Sequence, residues 1–263
     1  MSDSKPLITP DAWAALRANT PARVGLGRVG RSLPTRELLA FGAAHAQARD
    51  AVHLPLDVAA LSERLIALQA PQDAAPLCVA SAAPDRASYL LRPDLGRRLG
   101  AGSAAQLDAW QAAQGASCDL LLVVADGLSA AAVERQAPLL IAALLASQPA
   151  GLRLGPLVIA TQARVALGDD IGQRLQARQV AMLIGERPGL SSPDSLGIYL
   201  THDPRPGRND AERNCLSNVR PEGLAPAEAA RKLWWLVQAA QRLQLTGVSL
   251  KDQSDAQALP LGV

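Results

Sequence analysis

The chain has 263 residues, of which 49% are hydrophobic and 19% are charged, a balance typical of globular proteins and not of disordered ones. Its 26 lysines and arginines against 24 acidic residues leave a net charge of +2, which gives no electrostatic reason to expect nucleic acid or an anionic membrane as the main partner. Charges, glycines or prolines interrupt every apolar run well short of the roughly 18 residues of a membrane span, so we expect a soluble, cytoplasmic protein.

The first seventy residues show helical spacing and no continuous β-type run. A short helix is predicted to open at Thr9-Pro10-Asp11 and to continue through Leu16. A second helix is predicted from Thr35 to about Asp50, and a third from Asp57 through Leu68. We therefore predict a helical N-terminal region over residues 1–70.

From about residue 75, short apolar runs alternate with longer helical patterns. The predicted strands are 77–80, 119–125, 157–160, 180–184 and 196–200, and the predicted helices lie near 103–114, 129–147, 169–178 and 226–245. Such alternation is typical of βαβ units, and continuous apolar strands suit a sheet covered on both faces. We expect residues 71–263 to form an α/β domain with a doubly wound, mainly parallel sheet flanked by helices.

Two neighbouring tryptophans lie in the last predicted helix. Adjacent residues on a helix point about 100° apart, so Trp234 and Trp235 cannot both face one narrow core stripe. Either the helix is enclosed on several sides, or one of the two rings lies at a subunit interface, where aromatic residues are favoured.

A glycine-rich segment near the N-terminus matches a nucleotide-binding pattern. Residues 25–30 read Gly-Leu-Gly-Arg-Val-Gly, and Asp50 follows twenty positions after Gly30, as the ribose-binding acid of a dinucleotide site would. That site needs a buried strand before the first glycine and a helix opening at the turn, and neither flank fits. A surface loop that offers Arg23, Arg28 and Arg31 to a partner is favoured over nucleotide binding.

Metal and nucleophile motifs are missing from the sequence. The three cysteines, Cys78, Cys118 and Cys215, are far apart, which argues against a disulfide framework and a cysteine zinc site. Neither a serine-nucleophile elbow nor a paired-histidine zinc motif is present. We predict free thiols and no metal site.

Two segments follow predicted strands of the sheet and could line a ligand crevice. Asp126-Gly127 comes after the most apolar strand, and residues 185–189, Gly-Glu-Arg-Pro-Gly, follow the strand that ends at Ile184. The carboxyl ends of parallel strands border the crevice in which such sheets bind ligands. Glycine and proline can simply turn the chain there, but a turn does not require the carboxylate of Glu186.

The segment 209–215, Asn-Asp-Ala-Glu-Arg-Asn-Cys, is dense in polar side chains. Its spacing alone favours a solvated helix start, with Asn209 or Asp210 as the cap. A lone cysteine such as Cys215 is a small buried apolar residue in most proteins.

Taken together, several segments resemble the small (light) subunits of ethanolamine ammonia-lyase. The likeness spans about residues 10–252 and is weakest between about 70 and 115. It rests on five segments: 20–35 (TPARVGLGRVGRSLPT), 43–52 (AAHAQARDAV), 124–129 (VADGLS), 183–200 (LIGERPGLSSPDSLGIYL) and 210–215 (DAERNC).

The resemblance implies a function and a partner. The enzymes of this family use adenosylcobalamin to convert ethanolamine to acetaldehyde and ammonia through a radical, and the cofactor lies between the small and the large (heavy) subunit. The resemblance therefore implies a hetero-oligomer in which the Rossmann-like region of this chain contacts cobalamin. Some relatives are housed in a bacterial microcompartment, and neither that location nor the stoichiometry follows from the sequence.

The resemblance also implies which residues touch the cofactor. They correspond to Val165, Glu186 and Cys215 of this sequence, which would supply apolar cover, a hydrogen-bond acceptor and a small polarizable group. The chain lacks the D-x-H-x-x-G segment with which some cobalamin proteins ligate cobalt, so we expect cobalt to keep its own base. No catalytic residue is expected on this chain.

Two alternatives from other classes stay open at this point. One is a stand-alone NAD-dependent dehydrogenase of the Rossmann type that uses Gly25 to Gly30. The other is an assembly protein that never touches the cofactor, for which replacing Glu186 by glutamine would leave cobalamin affinity unchanged.

Overall fold

A computed structural model describes residues 13–20, 22–68 and 75–255 of the chain. The helices are α1 (Ala14–Arg17), α2 (Thr35–His53), α3 (Val58–Ile66), α4 (Arg86–Leu91), α5 (Ala101–Gln114), α6 (Ala130–Ala146), α7 (Leu167–Arg174) and α8 (Pro226–Leu243). The strands are β1 (Leu77–Ala80), β2 (Leu121–Ala125), β3 (Val158–Thr161), β4 (Gln179–Gly185), β5 (Leu196–His202) and β6 (Arg213–Val219). Short 3₁₀ turns cover Leu95–Arg97 and Asp210–Glu212.

The six strands form one sheet in the order β1-β3-β2-β4-β5-β6. The first four strands in that order run parallel, whereas β5 is antiparallel to β4 and β6 is antiparallel to β5. All five predicted strands are present, and the predicted mainly parallel α/β sheet is confirmed. The reversal at β5 and β6 extends the sheet beyond its parallel part.

Apolar side chains of the central strands alternate between two cores, one on each face of the sheet. Leu122 and Val124 of β2 belong to the core under α3, α6 and α8, while Leu121 and Val123 belong to the core under α5 and α7. Every residue of β2 is buried, because helices cover both of its faces. This two-sided covering explains why its sequence lacks the polar alternation of a half-exposed strand.

The antiparallel strands β5 and β6 are covered by helix on one face. Leu196, Ile198 and Leu200 alternate into the core beneath α8. The side chains between them, and those of Cys215 and Ser217 on β6, lie on the opposite face, where Cys215 and Ser217 are exposed. An open, weakly polar strand surface therefore adjoins the carboxyl ends of the parallel strands.

The N-terminal helices differ in how they pack. The predicted helix start at Thr9-Pro10-Asp11 lies outside the described residues. Helix α2 buries only Ala51, whereas α3 inserts Leu61 and Leu65 into the core beneath α6 and α8. The domain boundary near residue 70 stays a prediction.

Two elements differ from the sequence-based predictions. Helix α4 was not predicted, and the polar segment that was interpreted as a helix start forms a single 3₁₀ turn followed by strand β6. Asn209 does cap that turn, since its side chain accepts the N–H of Ala211 at 3.0 Å. The chain then extends because Leu216 and Val219 enter the core as a strand, which leaves Cys215 exposed and not buried.

Helix α8 buries one broad face and leaves residues such as Gln238 and Arg242 exposed, so it is not enclosed all round, and a subunit interface at Trp235 stays a prediction. Trp234 is buried and donates its indole N–H to the carbonyl oxygen of Leu144 at 3.2 Å, while Trp235 packs half-buried against the same core.

Within the described ranges, none of the helices combines the length and the apolar character that crossing a bilayer requires.

A buried carboxylate ties three connections together at the carboxyl end of the sheet. Asp126, which follows β2, accepts the backbone N–H of Gln162 at 2.8 Å and of Ala163 at 3.1 Å, and it pairs with Arg86 of α4 at 3.1 Å. Burial raises the pKa of Asp126, and the two N–H groups and the Arg86 guanidinium offset part of that rise. The loops after β2 and β3 and helix α4 thus share one anchor.

We expect Asp126→Asn to lower the free energy of unfolding by about 3 kcal/mol, since removing one partner strands a buried charge at a cost of about 3–5 kcal/mol. The asparagine amide also places a donor where two backbone donors converge. Urea denaturation of the full chain, followed by circular dichroism, measures the change.

The matched control is Asp108→Asn on α5, which removes an exposed carboxylate that pairs with Arg174 at 2.6 Å. Exposed pairs contribute about 0–1 kcal/mol, so this variant stays near wild type. If both variants lost the same small amount of unfolding free energy, the anchoring role of Asp126 would be contradicted.

Candidate functional site

Two adjoining cavities open at the carboxyl ends of β3 and β4. The first has a volume of about 440 Å³ and the second of about 400 Å³. They share Arg164, Val165 and Tyr199, and we refer to the pair as the cleft. A larger cavity of about 900 Å³ lies at the amino end of β4, around His202 and Arg205, and contains none of the predicted site residues.

Val165 stands on a loop that the protein holds firmly. It follows β3 within the connection to α7, after the two residues whose N–H groups bind Asp126. The N–H of the preceding Arg164 donates to the carbonyl oxygen of Gly96 at 2.8 Å. Because the backbone is fixed at three consecutive positions, the half-buried Val165 presents its side chain to the cleft in a defined place.

Glu186 is held by donors from two other segments. Its Oε2 accepts the hydroxyl of Ser195 and the N–H of Asn218, the latter at 3.2 Å, and its own N–H donates to the Ser195 carbonyl oxygen at 3.0 Å. A Cβ added at Gly197 would lie 3.0 Å from Oε1, so the glycine leaves room for the carboxylate above β5. In the described part of the chain no donor meets Oε1, which leaves that oxygen available to a ligand.

Tyr199 connects Cys215 to the cleft. The two residues are register partners across β5 and β6, on the face opposite α8. Burial raises the pKa of Tyr199, and Cys215 and Glu186 raise it further, so its hydroxyl stays protonated at neutral pH and can donate. Cys215 itself is exposed, with Sγ 3.5 Å from the hydroxyl oxygen of Ser217, and it lies beside the cleft and not within its wall.

The structure therefore brings Val165 and Glu186 together in the first cavity and places Cys215 next to Tyr199, which lines both cavities. That these residues contact a cofactor stays a prediction. Among the described residues, no three His, Cys, Asp or Glu side chains converge as metal ligands.

Asp126 and Gly127, which also follow a strand, have different roles. Asp126 is 2% exposed and its oxygens are used by backbone N–H groups and Arg86, so it supports the cleft from below. Gly127 lines the first cavity with φ at +54°, and a Cβ there would collide with the Gly185 carbonyl oxygen. The glycine is required by the close approach of two strand ends.

Four further residues line the cleft without having been predicted from sequence patterns: Tyr89, Arg164, Arg187 and Tyr199. Three of them adjoin predicted features: Arg164 precedes Val165, Arg187 follows Glu186, and Tyr199 lies in a predicted strand. No sequence pattern around Tyr89 indicated that it lies at the cleft, because it reaches the cleft from α4, about 75 positions before Arg164 along the chain.

The glycine-rich segment 25–30 does not form a dinucleotide site in this fold. It lies between α1 and α2, follows no strand, and its Arg28 and neighbouring Arg23 and Arg31 are exposed. Its three glycines all have positive φ, so the segment is an irregular surface turn. The structure gives the NAD-dependent dehydrogenase alternative no support, and contact of these arginines with a partner stays a prediction.

Comparison with known proteins gives a consistent result over nearly the whole chain. Residues 10–251 match the ethanolamine ammonia-lyase light chain family. The chain is 55% identical over 261 residues to the ethanolamine ammonia-lyase small subunit of Ralstonia nicotianae, a match that covers 99% of this chain and 95% of that protein. The small subunit of Azotobacter vinelandii is 54% identical over 98% of this chain and 94% of its own length.

A third relative, the ethanolamine ammonia-lyase small subunit of Pseudomonas fluorescens, is 53% identical over 97% of this chain and 92% of its own length. Identity at this level, over almost the full length of this chain and of each relative, shows that they share one fold and that the match is not confined to a part of the chain. The chain therefore belongs to the ethanolamine ammonia-lyase light chain family.

Proposed function

We propose that this chain is the small subunit of an adenosylcobalamin-dependent ethanolamine ammonia-lyase, in which its cleft holds one side of the cofactor against the large subunit. The complex would convert ethanolamine to acetaldehyde and ammonia. The names of the relatives support the reaction, and the geometry of the cleft supports the contact with the cofactor.

The observation that carries the cofactor proposal is the convergence of Val165 and Glu186 in one open cavity beside the exposed strand face of Cys215. A corrinoid is larger than either cavity, so it can rest on this surface only with another part exposed to a second chain. Its periphery carries methyl groups and carboxamide side chains, which need apolar contact and hydrogen-bond acceptors. The residues present fit that chemistry.

Each side chain has a defined task in holding the cofactor. Val165 supplies apolar contact, and Oε1 of Glu186 accepts from a carboxamide while Ser195 and Asn218 keep the carboxylate oriented. The Tyr199 hydroxyl donates to a carbonyl or hydroxyl oxygen, and Cys215 offers a small polarizable surface. When bound, adenosylcobalamin supplies an organic radical through cleavage of its cobalt–carbon bond.

This chain excludes water from one side of the cofactor and fixes its orientation. We assign none of its cleft residues to proton or hydrogen transfer with the substrate, and we expect the large subunit to carry those steps. The small subunit is required because the surface it provides is preorganised by Asp126, Ser195 and Gly197 before the cofactor arrives.

Glu186→Gln is expected to weaken cobalamin binding by the complex with the large subunit about tenfold or more. The reason is that a hydrogen bond to a charged acceptor contributes about 1.5–3 kcal/mol, and the amide oxygen must also serve Ser195 and Asn218. Titration of the apo complex with adenosylcobalamin, followed by absorbance, gives the dissociation constant.

Glu222→Gln is the control for that measurement, since this carboxylate is 72% exposed and lies outside the cleft. We expect the complex that carries Glu222→Gln to bind cobalamin with wild-type affinity. Unchanged affinity in Glu186→Gln with intact subunit association would favour the assembly-protein alternative over the cofactor contact.

Adenosylcobalamin is expected to protect Cys215 from iodoacetamide within the complex without protecting Cys78. Both thiols are exposed, but Cys78 lies on β1 at the opposite edge of the sheet. Cys118 does not react in either state, because burial raises its pKa to about 11 and also closes access to it. Peptide mass spectrometry measures the three labelling rates with and without cofactor.

The comparison is made within the assembled complex, so shielding by the large subunit cancels. A rate at Cys215 that does not depend on the cofactor would show that the exposed face of β6 is not a cofactor contact.

A further inference from the structure

Arg164 occupies the boundary between the two cavities and lines both of them. Its backbone N–H is held by Gly96, and a Cβ at Gly96 would approach the Arg164 Cγ to 2.9 Å. A side chain at position 96 would therefore collide with Arg164, and the glycine leaves the space that the Arg164 side chain occupies. Arg164 reaches the cleft in one defined direction.

Its guanidinium stacks on the ring of Tyr89. The Arg164 Cζ lies 4.4 Å from the ring centroid, and Nη2 donates to the Tyr89 carbonyl oxygen at 3.4 Å. Tyr89 is fully buried and donates its hydroxyl to the Ala163 carbonyl oxygen at 3.0 Å. Burial raises the pKa of Tyr89 to about 12, so the ring stays neutral and does not cancel the arginine charge.

The charge of Arg164 lacks a carboxylate partner within the described ranges. Arg86, on the same tyrosine ring, pairs with Asp126 at 3.1 Å, whereas Arg164 forms no ion pair there and its buried Nε meets no acceptor. A partly buried cation without an anion is costly, and an anion bound from outside the chain would offset that cost.

The second cavity is positive around this group. Arg97 and Arg208 also line it, and Asp210 is the one acid among its described lining residues. Arg208 is already paired with Asp203 at 2.8 Å, and the Asp210 carboxylate lies 3.4 Å from Nε of Arg213. Arg164 and Arg97 remain as cations facing the cavity without a partner acid among the residues described.

We propose that Arg164 binds the phosphodiester of the cofactor's nucleotide loop, with the second cavity as the phosphate subsite of the cleft. This inference rests on the proposed function. Adenosylcobalamin carries one phosphodiester, while its carboxamides are neutral, so this group is the anion that the unpaired guanidinium would meet. Arginine suits phosphate because its planar fork donates two parallel hydrogen bonds.

The test compares three corrinoids on the complex with the large subunit. Adenosylcobalamin and adenosylcobinamide phosphate carry the phosphate, and adenosylcobinamide lacks it. We expect Arg164→Gln to weaken binding of the first two by about ten- to a hundredfold and to leave the affinity for adenosylcobinamide unchanged. Arg164→Lys recovers part of the loss, because lysine binds phosphate as a point charge. Equilibrium titration followed by absorbance measures all three.

The matched control is Arg92→Gln, which removes an exposed arginine that pairs with Asp94 at 2.8 Å and lines neither cavity. It leaves all three affinities unchanged. Wild-type affinity of Arg164→Gln for adenosylcobinamide also shows that the variant is folded and assembled.

Several results would overturn the proposal. Equal weakening of all three corrinoids would mean that Arg164 only shapes the cleft, and unchanged affinities would mean that no anion binds there. Weaker subunit association without any corrinoid would assign the charge to an acid of the large subunit. A wild-type complex that binds none of the three would overturn the proposed function itself, which separates that failure from the failure of the phosphate subsite.

Discussion

The carboxylate of Asp126 is the constraint on which the functional end of this molecule depends. Two backbone N–H groups from the loop after β3 and the guanidinium of Arg86 converge on it at 2.8–3.1 Å in a buried site. In a doubly wound sheet the crevice opens between strand ends whose connections diverge, and here a charged group closes the bottom of that crevice. The loop that carries Arg164 and Val165 is consequently ordered by contacts within this chain, before any ligand binds.

The antiparallel addition of β5 and β6 gives the cleft its second wall. A parallel strand at this edge would need a crossover helix, which would cover the sheet face that now exposes Cys215 and Ser217. The loops 186–195 and 203–212, which connect the antiparallel strands, leave that face open beside Tyr199 and Glu186. A large, flat ligand can then rest across strand ends and strand face together, an arrangement that a single enclosed pocket could not provide.

Local patterns predicted most of the elements because their causes are local. Continuous apolar runs such as 121–125 and the alternation of runs with helices follow from burial on two faces, and five strands were predicted within about two residues of their observed bounds. Strand β6 was missed for two reasons: only two residues of Arg213–Val219 enter the apolar core, and the capped 3₁₀ turn before it has the sequence pattern of a helix start. Helix α4 is short, and although Asp85 caps it locally, its stability comes mainly from Arg86 and Tyr89, which contact groups far away in the sequence.

By itself the sequence determined that the chain builds an α/β sheet, that Glu186 follows one of its strands, and that the segments of the light chain family are present. Only the tertiary structure decided that Cys215 faces outward next to Tyr199, beside the cavity that Val165 and Glu186 share, and that Arg164 is left without an acid while Arg86 has one. The physical reason is that hydropathy and capping act over a few residues, whereas charge pairing and cavity walls join side chains that the chain separates by tens of positions.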